Sequence, residues 1–157
     1  MILDKTDRAI LELLQGDARL TTVELARRIN LSTTPCANRI RRLEDAGIIC
    51  GYHARLNPTL LARSMLVFVQ VTLHNTDEAT LRSFNEAMLA EPEVLECHMV
   101  GGGFDYLIKL RVDDMPAYRD FLAGVLAAME TVENTHSYFV MEEVKETMLL
   151  PLMPKQG

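Results

Sequence analysis

Apolar positions recur along this chain with two different periods, and the change comes near residue 65. Before that point they follow the three-to-four spacing of an amphipathic helix. Ile10, Leu13 and Leu14 fall at i, i+3 and i+4 and predict a helix from about residue 5 to 15, with Gly16 as its natural stop. Leu25, Ala26 and Ile29 form the inward face of a second helix, about 22–30, for which Thr21 or Thr22 is the cap. A third helix is expected over about 34–46. Ser32 or Thr34 caps it, Pro35 stands in a first turn whose N–H groups lack helical partners anyway, and Gly47 ends it.

The third helix has two faces. Cys36, Ile40 and Leu43 at i, i+4 and i+7 point to a core, while Thr34, Asn38 and Arg41 share another stripe, flanked by Ala37 and Arg42. A tight turn, Asn30-Leu31-Ser32-Thr33, separates it from the second helix. Short polar residues at the start of a helix and arginines further along suit a helix that enters a DNA major groove. The segment 48–56 is rich in β-forming residues around Gly51, as in a hairpin or wing, and Asn57-Pro58 then opens a connector. The boundaries expected are 1–57 for a helix-turn-helix domain, 58–64 for the connector and 65–157 for a second domain.

From Met65 the period shortens to two. Strands are expected at about 65–73, 93–101, 104–112 and 135–144. Between them lie helices at about 80–91, capped by Thr76 or Asp77, and 115–130, capped by Asp114. The order is that of a ferredoxin-like βαββαβ split motif, so the fold class is α+β. Such a sheet carries its helices on one face. Yet Met65, Val67, Val69, Val71 and Leu73 alternate with Leu66 and Phe68, and the last strand sets Phe139 and Met141 against Tyr138, Val140 and Val144. Strands apolar on both sides need a second cover, and another copy of the same sheet is the simplest one, which predicts a homodimer.

Charge changes this picture in one respect. The net charge is −6, which by itself speaks against a nucleic-acid partner. It is unevenly spread: residues 1–57 hold nine Lys and Arg against seven Asp and Glu, and the remainder seven against fifteen. Between Ala18 and Arg42 stand Arg19, Arg27, Arg28, Arg39, Arg41 and Arg42 with Glu24 as the single acid. Phosphate contacts act within about a Debye length, roughly 8–10 Å in physiological salt, so the local patch outweighs the total.

Composition excludes other classes. Hydrophobic residues make up 48% of the chain and charged residues 24%, as in an ordinary globular protein. No apolar run reaches membrane-spanning length, and charges at Asp4, Lys5 and Asp7 leave no room for a signal-peptide apolar region, so a cytoplasmic, nucleoid-associated address is expected. Cys36, Cys50 and Cys97 form no CxxC pair and no zinc spacing with the histidines. Cys36 reads as core and His98 as a structural histidine. No metal, cofactor or catalytic set is expected.

Several stretches resemble one family. Leu31-Ser32-Thr33-Thr34-Pro35-Cys36, Arg39-Ile40-Arg41-Arg42-Leu43-Glu44 and Gly47-Ile48-Ile49 look like the helix-turn-helix of Lrp/AsnC regulators. Leu66-Val67-Phe68-Val69, Glu96-Cys97-His98, Phe104-Asp105-Tyr106-Leu107 and Val140-Met141-Glu142-Glu143-Val144-Lys145 look like its sensing, or RAM-type, domain. The resemblance runs over about residues 3–151. It implies a winged helix-turn-helix joined to a sensing domain. The function implied is regulation of amino-acid metabolism genes under the control of an amino acid such as leucine or alanine. Dimers that bind double-stranded DNA and assemble into octamers are implied too.

The DNA-contacting positions would be Thr22, Ser32, Thr33, Thr34, Asn38, Arg39, Arg41 and Arg42. The effector positions would be Met99, Gly101, Gly102, Gly103, Asp105, Met115, Tyr138, Phe139 and Val140. Backbone N–H groups of a glycine loop can approach a carboxylate closely, and Asp105 would pair with an α-ammonium directly or shape the loop. The chain departs from its relatives at Gly103, where they usually carry an acidic residue, and at Phe139, where a smaller aliphatic residue is common. Sirohaem decarboxylases resemble the same two-domain layout and supply an enzymatic alternative. That alternative wants histidines placed for haem chemistry, whereas His53, His74, His98 and His136 form no cluster in sequence.

Overall fold

The computed structural model describes residues 2–152. The described chain divides into two compact units, 2–55 together with 145–152, and 56–144. The sequence carries no sign that the chain re-enters the first unit after residue 144.

The first unit is built on three helices, α1 (Lys5–Gly16), α2 (Thr22–Arg28) and α3 (Thr33–Asp45). Reciprocal capping boxes start the first two. Asp4 accepts from the N–H of Asp7 at 2.7 Å while Asp7 accepts from that of Asp4, and Thr21 and Glu24 repeat the arrangement on α2. Gly16 stays inside α1, because the N–H of Asp17 still reaches Leu13 O at 2.9 Å. Asn30 ends α2 in the left-handed region at φ 56°, and the N–H of Leu31 bonds Ala26 O at 2.9 Å. Gly47 does the same for α3 at φ 67°, with Ile48 N–H on Leu43 O at 2.9 Å. Both are Schellman closures, and the first supplies the sharp turn into α3. Ser32 occupies the N-cap of α3 without a side-chain bond.

Ile10, Leu11, Leu14, Leu25, Ala26, Cys36 and Leu43 form the buried core, with Leu3, Ile40, Ile49 and Leu152 packed at its margin. Leu152 belongs to the returning segment. Arg8 Nη1 donates to its carbonyl at 2.8 Å, and the Gln15 side chain both donates to Leu150 O at 3.1 Å and accepts from Leu150 N–H at 2.7 Å. The residues 48–56 do not form the expected hairpin and hold no strand. Their β-forming side chains have no neighbouring strand to pair with, and an isolated hairpin is marginal in water. Tyr52 instead folds back to Glu44, its hydroxyl donating at 2.9 Å.

The second unit opens with a single 3₁₀ turn, Thr59–Leu61. It continues as β1 (Met65–Leu73), α4 (Glu78–Ala90), β2 (Val94–Met99), β3 (Tyr106–Val112), α5 (Met115–Phe121) and β4 (Val132–Phe139). The sheet order is β2-β3-β1-β4, antiparallel throughout, which is the expected split βαββαβ topology. Val67, Val69, Val71 and Leu73 of β1 meet Tyr106, Ile108, Leu110 and Val112 of β3 on one face, where Phe84 and Met88 of α4 and Tyr118 and Phe121 of α5 cover them.

Two boundaries differ from the sequence expectation. The last helix leaves α geometry at Leu122, where Ala127 N–H bonds Leu122 O at 2.8 Å in a π turn spanning Leu122–Leu126. The last strand spans Val132–Phe139 rather than 135–144. It can extend only as far as β1 offers partners. After Val140 N–H reaches Leu66 O at 3.0 Å the ladder ends, leaving Met141 and Val144 exposed.

The opposite face of the sheet carries no helix. Leu66, Phe68, Gln70 and Thr72 of β1 lie there, in register with Leu107, Lys109 and Arg111 of β3 and with Tyr138 and His136 of β4. Its apolar part is therefore Leu66, Phe68, Leu107 and Tyr138, narrower than the sequence alternation suggests, because Phe139 turns to the helix side and stacks edge-on against Tyr118 at 5.1 Å.

Candidate nucleic-acid interface and effector site

Helix α3 buries Cys36 and Leu43 completely and leaves Ser32, Thr33, Thr34, Ala37, Asn38, Arg41 and Arg42 exposed. Thr33, Thr34, Asn38 and Arg41 therefore share an open helical stripe. Thr22, in the first turn of α2, is half-buried. Burial pushes the Cys36 thiol above its ordinary pKa, which keeps it protonated and inert.

The remaining arginines of α3 are engaged. Arg39 Nη1 lies 2.7 Å from Asp4 Oδ2 and 2.7 Å from Asp7 Oδ1. Arg42 Nη2 lies 2.8 Å from Asp7 Oδ1 and 2.7 Å from Oδ2. Asp7 is buried, at 1% exposure. The N–H of Asp7 and then the Arg39 guanidinium hold the Asp4 carboxyl below its usual range, and the two carboxylates in turn raise Arg39. Sequence reasoning missed Asp4 and Asp7. The acid-x-x-acid spacing of a capping box marks them as a helix start, but nothing local shows that arginines 32 and 35 residues later close on the same carboxylate.

In the second unit, the glycine loop joins β2 to β3. None of Gly101, Gly102 and Gly103 has a positive φ, and a Cβ built on any of them meets no atom within 4 Å. The loop's own conformation does not require three glycines, and the space above it is open. Asp105 closes the loop: its N–H bonds Val71 O at 3.0 Å, its carbonyl accepts from Val100 N–H at 2.9 Å, and its Oδ2 accepts from Leu73 N–H at 2.8 Å. Of the two roles expected for Asp105, this is loop shaping.

Met99 ends β2 opposite Tyr106 and lines a groove of ≈ 480 Å³ with Asn85, Met88, Leu89, Val94, Leu95, Glu96 and Cys97. Burial raises the Cys97 thiol and the Tyr106 hydroxyl, which donates to Asn85 Oδ1 at 2.9 Å. Lys109, and after it His98, hold Glu96 below its ordinary range. His98 is exposed and 3.2 Å from Glu96 rather than packed in a core.

The other expected effector residues lie elsewhere. Phe139 stands opposite Val67 and Tyr138 opposite Phe68, near the start of β1, while Asp105 bonds to Leu73 at its end. Six residues of strand separate these levels, about 20 Å. Val140 follows Phe139, and Met115 begins α5 just after the end of β3 that pairs with Met65. One chain thus splits the expected set between opposite ends of its sheet. Among the described residues no group of three or more His, Cys, Asp and Glu can hold a metal ion, and no helix is long and apolar enough to cross a membrane.

Residues 66–150 match the model of the Lrp/AsnC ligand binding domain, and residues 3–49 match a winged helix-turn-helix DNA-binding model. The leucine-responsive regulatory proteins of Klebsiella pneumoniae and Escherichia coli K12 are each 50% identical over 145 residues, 92% of this chain and 88% of theirs. A transcriptional regulator of Neisseria meningitidis, solved with L-Met, superposes with a TM-score of 0.91 at 38% identity, covering 96% of this chain and 97% of its own. An AsnC family regulator of Agrobacterium tumefaciens gives 0.91 at 37%, with the same coverage. These relatives are regulators, not enzymes, and the haem-decarboxylase alternative falls away. With its exposed α3 stripe and its covered-on-one-side sheet, the chain belongs to the Lrp/AsnC family, as a DNA-binding transcription regulator with an amino-acid effector-binding domain.

Proposed function

We propose that this regulator works as a homodimer that assembles further to an octamer, and that an amino acid with an apolar side chain, such as leucine or alanine, shifts its affinity for DNA near amino-acid metabolism genes. The observation that carries the reading is the split of the effector residues. Gly101, Gly102, Gly103, Asp105 and Met99 lie at one end of the sheet, and Met115, Tyr138, Phe139 and Val140 at the other. A pocket that uses both sets needs two copies of the chain. Effector binding then biases assembly because the site exists only in the assembled state. The partly open apolar patch of Phe68, Leu107 and Tyr138 gives a two-fold partner its seat. The L-Met complex of the Neisseria meningitidis relative favours a ligand of this class.

On the DNA side, Thr33, Thr34, Asn38 and Arg41 reach the groove from the open stripe of α3, with Ser32 and Thr22 beside it. A two-fold dimer presents two such helices to a pseudo-palindromic site, which ties the protein to the nucleoid.

Light scattering of the full chain with and without each common amino acid, alongside a thermal-shift screen, tests the reading. One apolar amino acid should raise the melting midpoint and change the size distribution together. Unchanged size and unchanged DNA affinity with every one of them would overturn it. Tyr138→Asp should yield monomers, and a dimer that survives this charge would place the interface elsewhere.

A further inference from the structure

The ion-pair cluster of the first unit does more than join two helices. Asp7 sits in the first turn of α1 at 1% exposure and accepts from Arg39 once, from Arg42 twice and from the N–H of Asp4 at 3.2 Å. Asp4 takes the same Arg39 nitrogen at 2.7 Å. Two carboxylates thus meet two guanidiniums, and the cluster is neutral as a set. Both arginines belong to the helix that faces DNA. They are three residues apart and share a side of it, whereas Arg41 projects about 100° from Arg42 and about 200° from Arg39. Among the described residues Arg41 forms no salt bridge, and it is exposed.

Arg39 and Arg42 keep N–H donors on the solvent side, but a phosphate that swung either guanidinium fully outward would strip it from a buried carboxylate and leave that carboxylate desolvated without its partner. We infer that Asp7 is a positioning residue for DNA recognition: it withholds Arg39 and Arg42 from the phosphates and fixes the rotation of α3, so that Arg41, Thr33, Thr34 and Asn38 face the groove. The inference rests on the reading of the α3 stripe as the DNA face. Its consequence is a trade. The cluster gives up sequence-independent attraction, which phosphate contacts supply, and keeps base reading in register.

The test uses the full chain and two duplexes of equal length and composition: one enriched by the wild-type protein from a random pool, and its shuffled counterpart. Asp7→Asn frees the arginines. On the shuffled duplex the plot of log affinity against log salt should steepen by about 0.9 for each phosphate gained, hence by roughly one to two. The preference for the enriched duplex should fall about tenfold. A residue that served folding alone would lower both affinities together and leave the slope unchanged, and that result overturns the inference. Should Asp7→Asn fail to fold, Arg42→Gln decides. It leaves Asp7 its bond to Arg39 at 2.7 Å, and because Asp7 keeps Arg42 from the phosphates, the slope should stay as it is. A slope flattened by about 0.9 there overturns the inference as well. Arg41→Ala separates this outcome from a misassigned DNA face: it should flatten the slope by about 0.9, and no effect would sink the reading of α3 instead.

Discussion

The Oδ2 of Asp105 accepts a hydrogen bond from the backbone N–H of Leu73 at 2.8 Å, fastening the glycine loop to the end of β1. Asn offers a carbonyl oxygen at the same place, and Ala offers nothing. Asp105→Asn should therefore keep the loop, and Asp105→Ala should lose about 1–2 kcal/mol of stability. If loop shaping is the residue's part in binding, titration calorimetry with the effector should find affinity nearly retained in Asn and reduced about tenfold or more in Ala. A comparable loss in both variants would mean that the charge itself meets the ligand.

The ring of Phe84 lies 4.4 Å from that of Tyr106, and both are buried between α4 and β3. Phe84→Ala removes the largest α4 contribution to the sheet's covered face. It should cost roughly 3–5 kcal/mol, through lost burial and the cavity left behind. Urea unfolding measures the cost. Hydrogen exchange should quicken across β1 and β3 and leave α1 to α3 protected, since their core is separate.

Three helix starts depend on ionised carboxylates. Asp4, Glu24 and Asp77 are each held below their ordinary pKa, in every case first by a backbone N–H: those of Asp7, Thr21 and Thr80. A depressed folded-state value means that the stabilisation is present above the unfolded carboxylate pKa and is lost as pH falls through the folded one. Thermal stability should thus decline on acidification below the usual carboxylate range. Asp77→Ser keeps an N-cap that does not titrate. Its melting curves should show a weaker acid dependence than the wild type, and an identical dependence would refute the assignment for α4.

Gln15 exchanges two hydrogen bonds with the backbone of Leu150, at 3.1 and 2.7 Å. Gln15→Ala removes both and should destabilise the first unit by about 1 kcal/mol, the contacts being exposed. Amide exchange at Leu150 should accelerate strongly while that of β1 stays as it was. Equal protection in the variant would show that Arg8 and the packing of Leu152 hold the segment unaided.

Much of the local structure was legible in the sequence. Caps at Thr21, Asp77 and Asp114, the stop at Gly47 and the two hydrophobic periods all act through bonds and packing within a few residues of one another. The βαββαβ order followed from the same local signals, and the motif around Arg39-Ile40-Arg41-Arg42 pointed to the family. Where a local rule met a tertiary demand, it gave way. The β-forming residues 48–56 found no partner strand.

What lay beyond the sequence was which distant groups meet. Arg39 and Arg42 look like free cations in a basic stretch, and only the packing of α3 on α1 sets them against Asp4 and Asp7. The expected effector residues look like one set, and only the ladder register sends Phe139 and Asp105 to opposite ends of β1. Leu152 reads as a tail, and only the fold returns it to the first core. The sequence by itself determined the elements and the family, because helix and strand formation are governed by short-range periodicity. The tertiary structure decided which arginines pair with carboxylates and how the expected sensing residues are divided. Charge pairing and strand register depend on contacts between residues tens of positions apart.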